Sequence, residues 1–186
     1  AIIVTEPDPA KILALAPLFR ALEDAHIPRF VMVNKIDRAT GSISQLAEDL
    51  GRVSSVPIIL RHIPIRNEDN IEGYIDLAGE RAFLYRPNDA SEVIDIPETL
   101  HDRLELDRFA MLEQLADFDD DLLEKLLEDM NVEAEEVYQD LAKDVQDGLI
   151  VPVFMGAAQL GEGTRRLLKA LRLSLIHISE PTRPNN

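Results

Sequence analysis

Arg29-Phe-Val-Met-Val-Asn-Lys-Ile-Asp37 decides the fold class. An apolar strand, Arg29 to Val33, runs without a break into a polar loop, and open α/β sheets place ligand contacts in loops at the carboxyl ends of strands. Working outward, Ala1 to Val4 is a second short apolar run rich in β-branched residues, as expected of a parallel strand buried on both faces. Between the two runs, Asp8 and Pro9 make an N-cap and first-turn pair, and Ile12, Leu15, Phe19 and Leu22 recur on one helical face. This spacing predicts a helix to about His26, kinked or restarted at Pro17. Ser44 to Leu50 predicts a further helix, stopped by Gly51. Strand, helix, strand, polar loop, helix is the order of an α/β fold.

The pattern changes after residue 55. Val56 to Ile65, Ile71 to Leu77, Ala82 to Tyr85 and Val93 to Ile96 are short strand-like pieces separated by Gly and Asn-Asp breaks, which predicts a small antiparallel sheet. Three helical patterns follow, over about 98–117, 119–130 and 133–146, with Gly148 as the breaker. Ile150 to Met155 then restores an apolar strand, Gly156 to Gly163 a small-residue loop, and Thr164 to Leu171 a basic amphipathic helix.

The 186 residues hold 35 Asp plus Glu against 19 Lys plus Arg, a net charge of −16, and no Cys. Phosphate-rich polymers and anionic lipid repel such a chain unless it segregates a basic face, so direct nucleic-acid binding is not expected. No apolar run reaches the roughly 20 residues of a membrane span, and the amino terminus shows no export signal, so a soluble, cytoplasmic chain is expected. The absence of Cys excludes disulfides and thiol chemistry. The charge is regional: residues 98–147 hold 18 acidic and four basic residues, a net of −14, and the remaining 136 are close to neutral.

The loop chemistry fits a guanine base. Asp37, as an acceptor-only carboxylate, can take two hydrogen bonds from guanine N1–H and its exocyclic amino group, where adenine offers no matching donor pair. The Lys35 stem can cover the ring, and Asn34 can bridge base and neighbouring loops. An ordinary solvated turn, with Asp37 capping the next helix, also accounts for these four residues. In the second loop, Gly156-Ala157-Ala158, small residues admit a ligand close to the backbone, and the Ala158 amide can donate to guanine O6. Tight strand-to-helix packing accounts for that segment alone at least as well.

Taken together, Asn34-Lys-Ile-Asp-Arg38, Val151-Pro-Val-Phe-Met-Gly-Ala-Ala158, Ile63-Pro-Ile65, Gly73-Tyr-Ile-Asp-Leu77 and Ala116-Asp-Phe-Asp119 resemble, in order and spacing, the second half of the GTPase domain of elongation factor G. The resemblance runs from Ala1 to about Arg172. It implies an α/β fold, part of a P-loop GTPase with a parallel sheet and flanking helices, carrying an α+β insertion. The implied division is 1–55 and 148–172 for the GTPase portion, 56–147 for the insertion, and 173–186 for a non-native tail. It implies a cytoplasmic, ribosome-associated translational GTPase that binds GTP or GDP with Mg²⁺, with Asn34, Lys35 and Asp37 as the base-specificity motif. Gly156, Ala157 and Ala158 form the second base-contact loop. In elongation factor G the matching insertion meets the carboxyl-terminal domain of the ribosomal stalk protein, which is basic.

Three departures qualify the resemblance. No Gly precedes a Lys, and although Gly156 and Gly161 have the outer spacing of a phosphate loop, Glu162 and Gly163 stand where Lys and Ser or Thr are needed. The switch segments are likewise not found, so the chain is expected to be truncated at both ends and inactive alone. Gly156-Ala157-Ala158 replaces the usual Gly-Ser-Ala, and Glu6-Pro-Asp-Pro-Ala-Lys11 replaces a Gln-containing stretch, which favours an elongation-factor-G-like paralogue. The tail from Leu173 resembles translated sequencing-adapter read-through and is left out of the expected fold.

Other constellations are weaker. Asp117, Asp119, Asp121 and Glu128 imitate a calcium loop, but Leu122 stands where the sharp turn needs Gly. His26, His62, His101 and His177 show no ligand spacing and read as surface or packing residues, so no metal site and no catalytic residue is assigned. Asp120, Glu124 and Glu128 form a stripe on one side of a helix, with Leu122, Leu123, Leu126, Leu127 and Met130 expected on the other. Such a stripe is either a solvated face or a surface for a basic partner. The alternative to a GTPase segment is an acidic interaction module without nucleotide function.

Overall fold

In a computed structural model, residues 1–39, 42–68, 70–86 and 89–176 are described. A parallel sheet takes the order β1 (Ile2–Thr5), β2 (Phe30–Val33), β8 (Val151–Met155), β3 (Ile58–Leu60). The carboxyl ends of three strands fall level, because Thr5 pairs with Val33 and Val33 with Met155. Every residue of β2 is buried. Side chains alternate across a strand, so Val31 and Val33 enter a core with Ile12, Phe19 and Leu50, and Phe30 and Met32 enter another on the opposite face.

The first core is covered by α1 (Pro9–Leu13), α2 (Ala16–Asp24) and α3 (Ile43–Gly51). Asp8 caps α1, accepting from the amides of Ala10 at 2.9 Å and Lys11 at 3.4 Å. The predicted long helix is two helices, and Pro17 lies in the first turn of the second, where its missing N–H costs nothing. Ser42 caps α3 through the Gln45 amide, and Gly51 is the last helical residue, not the stop. The stop falls at Arg52.

An antiparallel sheet of β4 (His62–Asn67), β5 (Asn70–Asp76), β6 (Arg81–Leu84) and β7 (Glu92–Ile94) packs on the second core. The stretch Val56 to Ile65, expected as one piece of this sheet, is divided at Arg61: Ile58–Leu60 pairs in parallel with β8, and β4 pairs with β5. The sheet-to-sheet crossing therefore lies at Arg61, inside the segment expected to be insertion from residue 56. Helices α4 (His101–Ala116), α5 (Asp120–Leu127) and α6 (Ala134–Gln146) complete this layer, and α7 (Thr164–Ile176) returns to the parallel sheet. The helix α7 extends past the expected boundary at Arg172; His177 and the rest of the tail lie outside the described residues.

The expected leucine side of α5 is only partly buried. Leu122 is enclosed, whereas Leu123, Leu127 and Met130 are exposed, Leu127 at 79%. Asp119 is the N-cap of this helix, accepting from the Asp121 and Leu122 amides at 3.0 and 3.1 Å. Among the described residues no helix is long and apolar enough to cross a membrane.

One carboxylate joins the layers. Asp76 on β5 is 1% exposed and accepts from Arg61 Nη2 at 3.1 Å, from Arg166 Nη2 on α7 and from Tyr138 Oη on α6. Burial alone would raise its pKa, but Arg61 and Arg166 outweigh that and hold it below the ordinary carboxylate value. His62 beside it is neutral, since burial pushes its imidazole down to about 3. It packs as a ring against Tyr74 and Phe154 at centroid distances of 4.5 and 5.4 Å. Arg108 of α4 fastens the next turn, donating to the Leu77 and Ala78 carbonyls at 2.7 and 2.9 Å and to Val132 at 2.8 Å.

The acidic helix α6 is held against its own charge. Burial and neighbouring carboxylates, Asp119 and Glu136 for Asp140 and then Asp140 for Asp144, raise both carboxyls to about 6. Carboxyls in the unfolded chain titrate near 4, so between about pH 4 and 6 the folded state holds more protons. The strain of ionising them is complete above about pH 6 and absent below about pH 4. Asp144→Asn is therefore expected to raise unfolding stability by about 1–2 kcal/mol at pH 7.5 and by almost nothing at pH 4. Urea titrations of both proteins at both pH values measure this, and an equal gain at the two would contradict it.

Candidate nucleotide-base site

The two motif loops leave the sheet side by side because β2 and β8 are adjacent and end level. Backbone bonds stitch them: Gly156 N–H donates to Val33 O at 3.0 Å, Ile36 N–H to Gly156 O at 3.2 Å, and Asn34 N–H to Thr5 O at 2.8 Å. The Ala158 amide donates to Asn34 Oδ1 at 2.8 Å. Asn34 thus bridges the two loops, and a base oxygen at Ala158 must share or displace that bond. Ile36 is 2% exposed and anchors the first loop in the core.

Lys35 takes a left-handed conformation, φ 60°, an unfavourable one for a residue with a side chain. Its ammonium pairs with Glu6, which also pairs with Lys11. Hydrogen bonds from Lys11 and Lys35 lower the Glu6 carboxyl to about 2. The stretch that departs from the family pattern therefore reaches the motif directly. Sequence reasoning missed Glu6 as a site residue, although its place immediately after β1, level with Asn34, was the available signal.

The Asp37 carboxylate is 32% exposed, with Arg38 Nε at 3.6 Å. Glu162 faces it: burial first, and then the Asp37 charge, raise the Glu162 carboxyl above its ordinary value. The backbone of Glu162 closes the second loop by exchanging bonds with Ala157 at 3.1 and 3.2 Å and so staples it. Ala157 is buried, which leaves Asn34, Lys35, Asp37 and the rim of Ala158 as the accessible groups. Asp120 and Glu124 are exposed on α5 and Glu128 at its C-cap, and none of them bonds to the two loops in the structure.

Two glycines make the closure possible. A Cβ on Gly156 would stand 2.3 Å from Glu162 O and 2.7 Å from Met32 Cε. Gly163 combines φ +76° with a Cβ position 2.3 Å from Met155 O. Both require Gly, the second for conformation as well as space.

No protein-family model matches the chain. It is 42% identical over 171 residues, 92% of its length, to an elongation factor G-like protein of Synechocystis. It is 33% identical over 159 residues to elongation factor G of Thermotoga maritima, and 31% identical over 154 residues to that of Rhodopirellula baltica. The chain spans about a quarter of the length of these relatives, 26%, 22% and 22%. A crystal structure from Thermus thermophilus superposes with a TM-score of 0.72 at 28% identity, covering 85% of this chain and 23% of that one.

Gly163→Ala is expected to cost roughly 2–3 kcal/mol, since the left-handed strain and the clash add. Gly148→Ala, at φ +74° with open space around it, should cost about 1 kcal/mol. Equal losses in urea unfolding would show that the close approach in the second loop contributes nothing.

Proposed function

We propose that this chain, a homologue over nearly its whole length of a segment of elongation factor G and its like, supplies guanine recognition to a ribosome-associated translational GTPase. The observation that carries the reading is the 2.8 Å bond from the Ala158 amide to Asn34 Oδ1. It joins the two loops, and the Asp37 carboxylate of the first is partly exposed, which supports a base held between them. Asp37 accepts from guanine N1–H and the exocyclic amino group, Lys35 covers the ring, and Gly156 and Ala157 shape the turn, while the Ala158 amide donates to O6 by sharing or giving up the bond by which Asn34 holds the loops together in the free chain. Glu6 sets the direction of the Lys35 ammonium.

The residues fit a base and do not extend to the rest of a nucleotide. Among the described residues no group of three His, Asp or Glu forms a metal site, and none is assigned to phosphate or Mg²⁺. GTP or GDP with Mg²⁺, hydrolysis, action on the ribosome and a cytoplasmic location are proposed for the whole protein. Residues 1–55 and 148–172 are its GTPase portion and 56–147 the insertion, with β3 at residues 58–60 contributing a strand to the former's sheet.

Three base hydrogen bonds contribute roughly 3–7 kcal/mol, against an association cost of about 4–15 kcal/mol. Low-micromolar binding of a fluorescent GDP analogue by this chain alone is therefore not expected. In the full-length protein, Asp37→Asn is expected to weaken GTP and strengthen xanthosine triphosphate by at least about tenfold each, because the new amide donates where the carboxylate accepted. Competition binding with the two nucleotides measures this, and an unchanged preference would refute the role of Asp37.

A second activity rests on a separate observation. On the same helix as the exposed Asp120 and Glu124, with Glu128 at its C-cap, are the exposed apolar residues Leu123 and Leu127, the latter 79% exposed. Acidic and apolar groups together suit a basic, partly apolar partner better than water alone, which supports the stalk protein's carboxyl-terminal domain as its occupant. This activity would also serve an acidic module without nucleotide function. Glu124→Lys with Glu128→Lys should abolish capture by that domain while Asp37→Asn retains it; capture by both variants would remove the acidic stripe from the interface.

A further inference from the structure

Twelve of the described Lys and Arg side chains lie within ion-pair distance of a carboxylate. Among the described residues Arg20, Arg66, Arg81, Arg165, Lys169 and Arg172 do not. In a chain of net charge −16 an unpaired cation is the exception. Three of these six, Arg81, Arg165 and Lys169, nevertheless line one pocket of about 480 Å³.

The pocket lies in the seam between the antiparallel sheet and α7. Arg81 opens β6, and Arg165 and Lys169 are one helical turn apart on α7, so both present to the same side. The rings of Tyr74, Phe83 and Tyr138 form its wall, with the Arg81 and Arg166 guanidiniums 5.8 and 6.0 Å from the Phe83 centroid. Beneath lies the Asp76 cluster, in which two guanidiniums share one carboxylate and His62 is neutral, so the floor itself has a positive excess. Among the described lining residues Asp89 is the one other acid, and its Oδ1 accepts the Ala90 amide at 2.7 Å.

We propose that this pocket binds a small phosphate-bearing anion. Three uncompensated cations above a positive floor exceed what one carboxylate neutralises, and guanidinium forks match phosphate oxygens in pairs. Its volume is that of a small-molecule site. The acidic helix α6 borders it through Ala134 and Tyr138, so an extended nucleic-acid backbone is repelled where a compact anion is not. The pocket adjoins the second base loop, since Gly161 and Gly163 line it, whereas none of Asn34, Lys35, Asp37 and Ala158 does.

Calorimetric titration of the chain with inorganic pyrophosphate at low salt tests the site. Saturable, sub-millimolar binding is expected, weakened at least about tenfold by Arg81→Ala and by Arg165→Ala with Lys169→Ala. Arg20→Ala, which removes an unpaired cation elsewhere, should leave it unchanged. All these residues are exposed, so an unaltered thermal melt is expected of every variant and separates lost binding from lost fold. Absence of binding to about 10 mM, equal binding by the pocket variants and Arg20→Ala, or tighter binding of citrate or of a short single-stranded RNA would each overturn the proposal.

Discussion

The Asp76 carboxylate is the contact on which the arrangement depends. It receives Arg61 from the crossing between the two sheets, Tyr138 from α6 and Arg166 from α7, so one buried charge fixes four parts of the chain that are far apart in sequence. Withdrawing one partner from such a buried group costs about 3–5 kcal/mol, because the remaining charge is stranded away from water. The apolar core around it is continuous: Phe30, Phe154 and Leu167 of the parallel-sheet layer belong to one cluster with Ile75, Leu115 and Val137 of the other. Hydrophobic burial supplies the cohesion there, and the ionic cluster sets the register in which the layers meet.

That register reaches the candidate base site through α7. The helix begins at Thr164, directly after the loop that carries Ala158 and closes on Gly163. Arg166, two residues into the helix, is held by Asp76 and by Tyr138 Oη at 2.8 Å. The second base loop is therefore anchored at one end by sheet bonds to Val33 and at the other by an ion pair to the antiparallel layer.

Much of this was legible in the sequence. Unbroken apolar runs at 30–33 and 151–155 marked strands buried on both faces, and the loops after them are the ones the structure brings side by side. The Asp76 cluster was not legible, because its members lie 15, 62 and 90 residues from Asp76 and nothing local distinguishes a buried Arg from a solvated one. The split of Val56 to Ile65 at Arg61 was hidden for a related reason: strand periodicity is the same in both sheets, and only pairing partners separate them. On α5, leucine spacing indicated an apolar side but not how much of it the neighbours cover, and Leu123 and Leu127 remain in solvent. Glu6 escaped because a contact between successive strand ends is read only once their order is known.

The most direct measurement of the central role of Asp76 is amide hydrogen exchange of Asp76→Asn against the parent chain, followed peptide by peptide. The account predicts faster exchange in two distant places together, the Gly156–Gly163 loop and α6, with global stability lower by about 3 kcal/mol. Unchanged exchange in the loop, with any loss confined to β5, would contradict it.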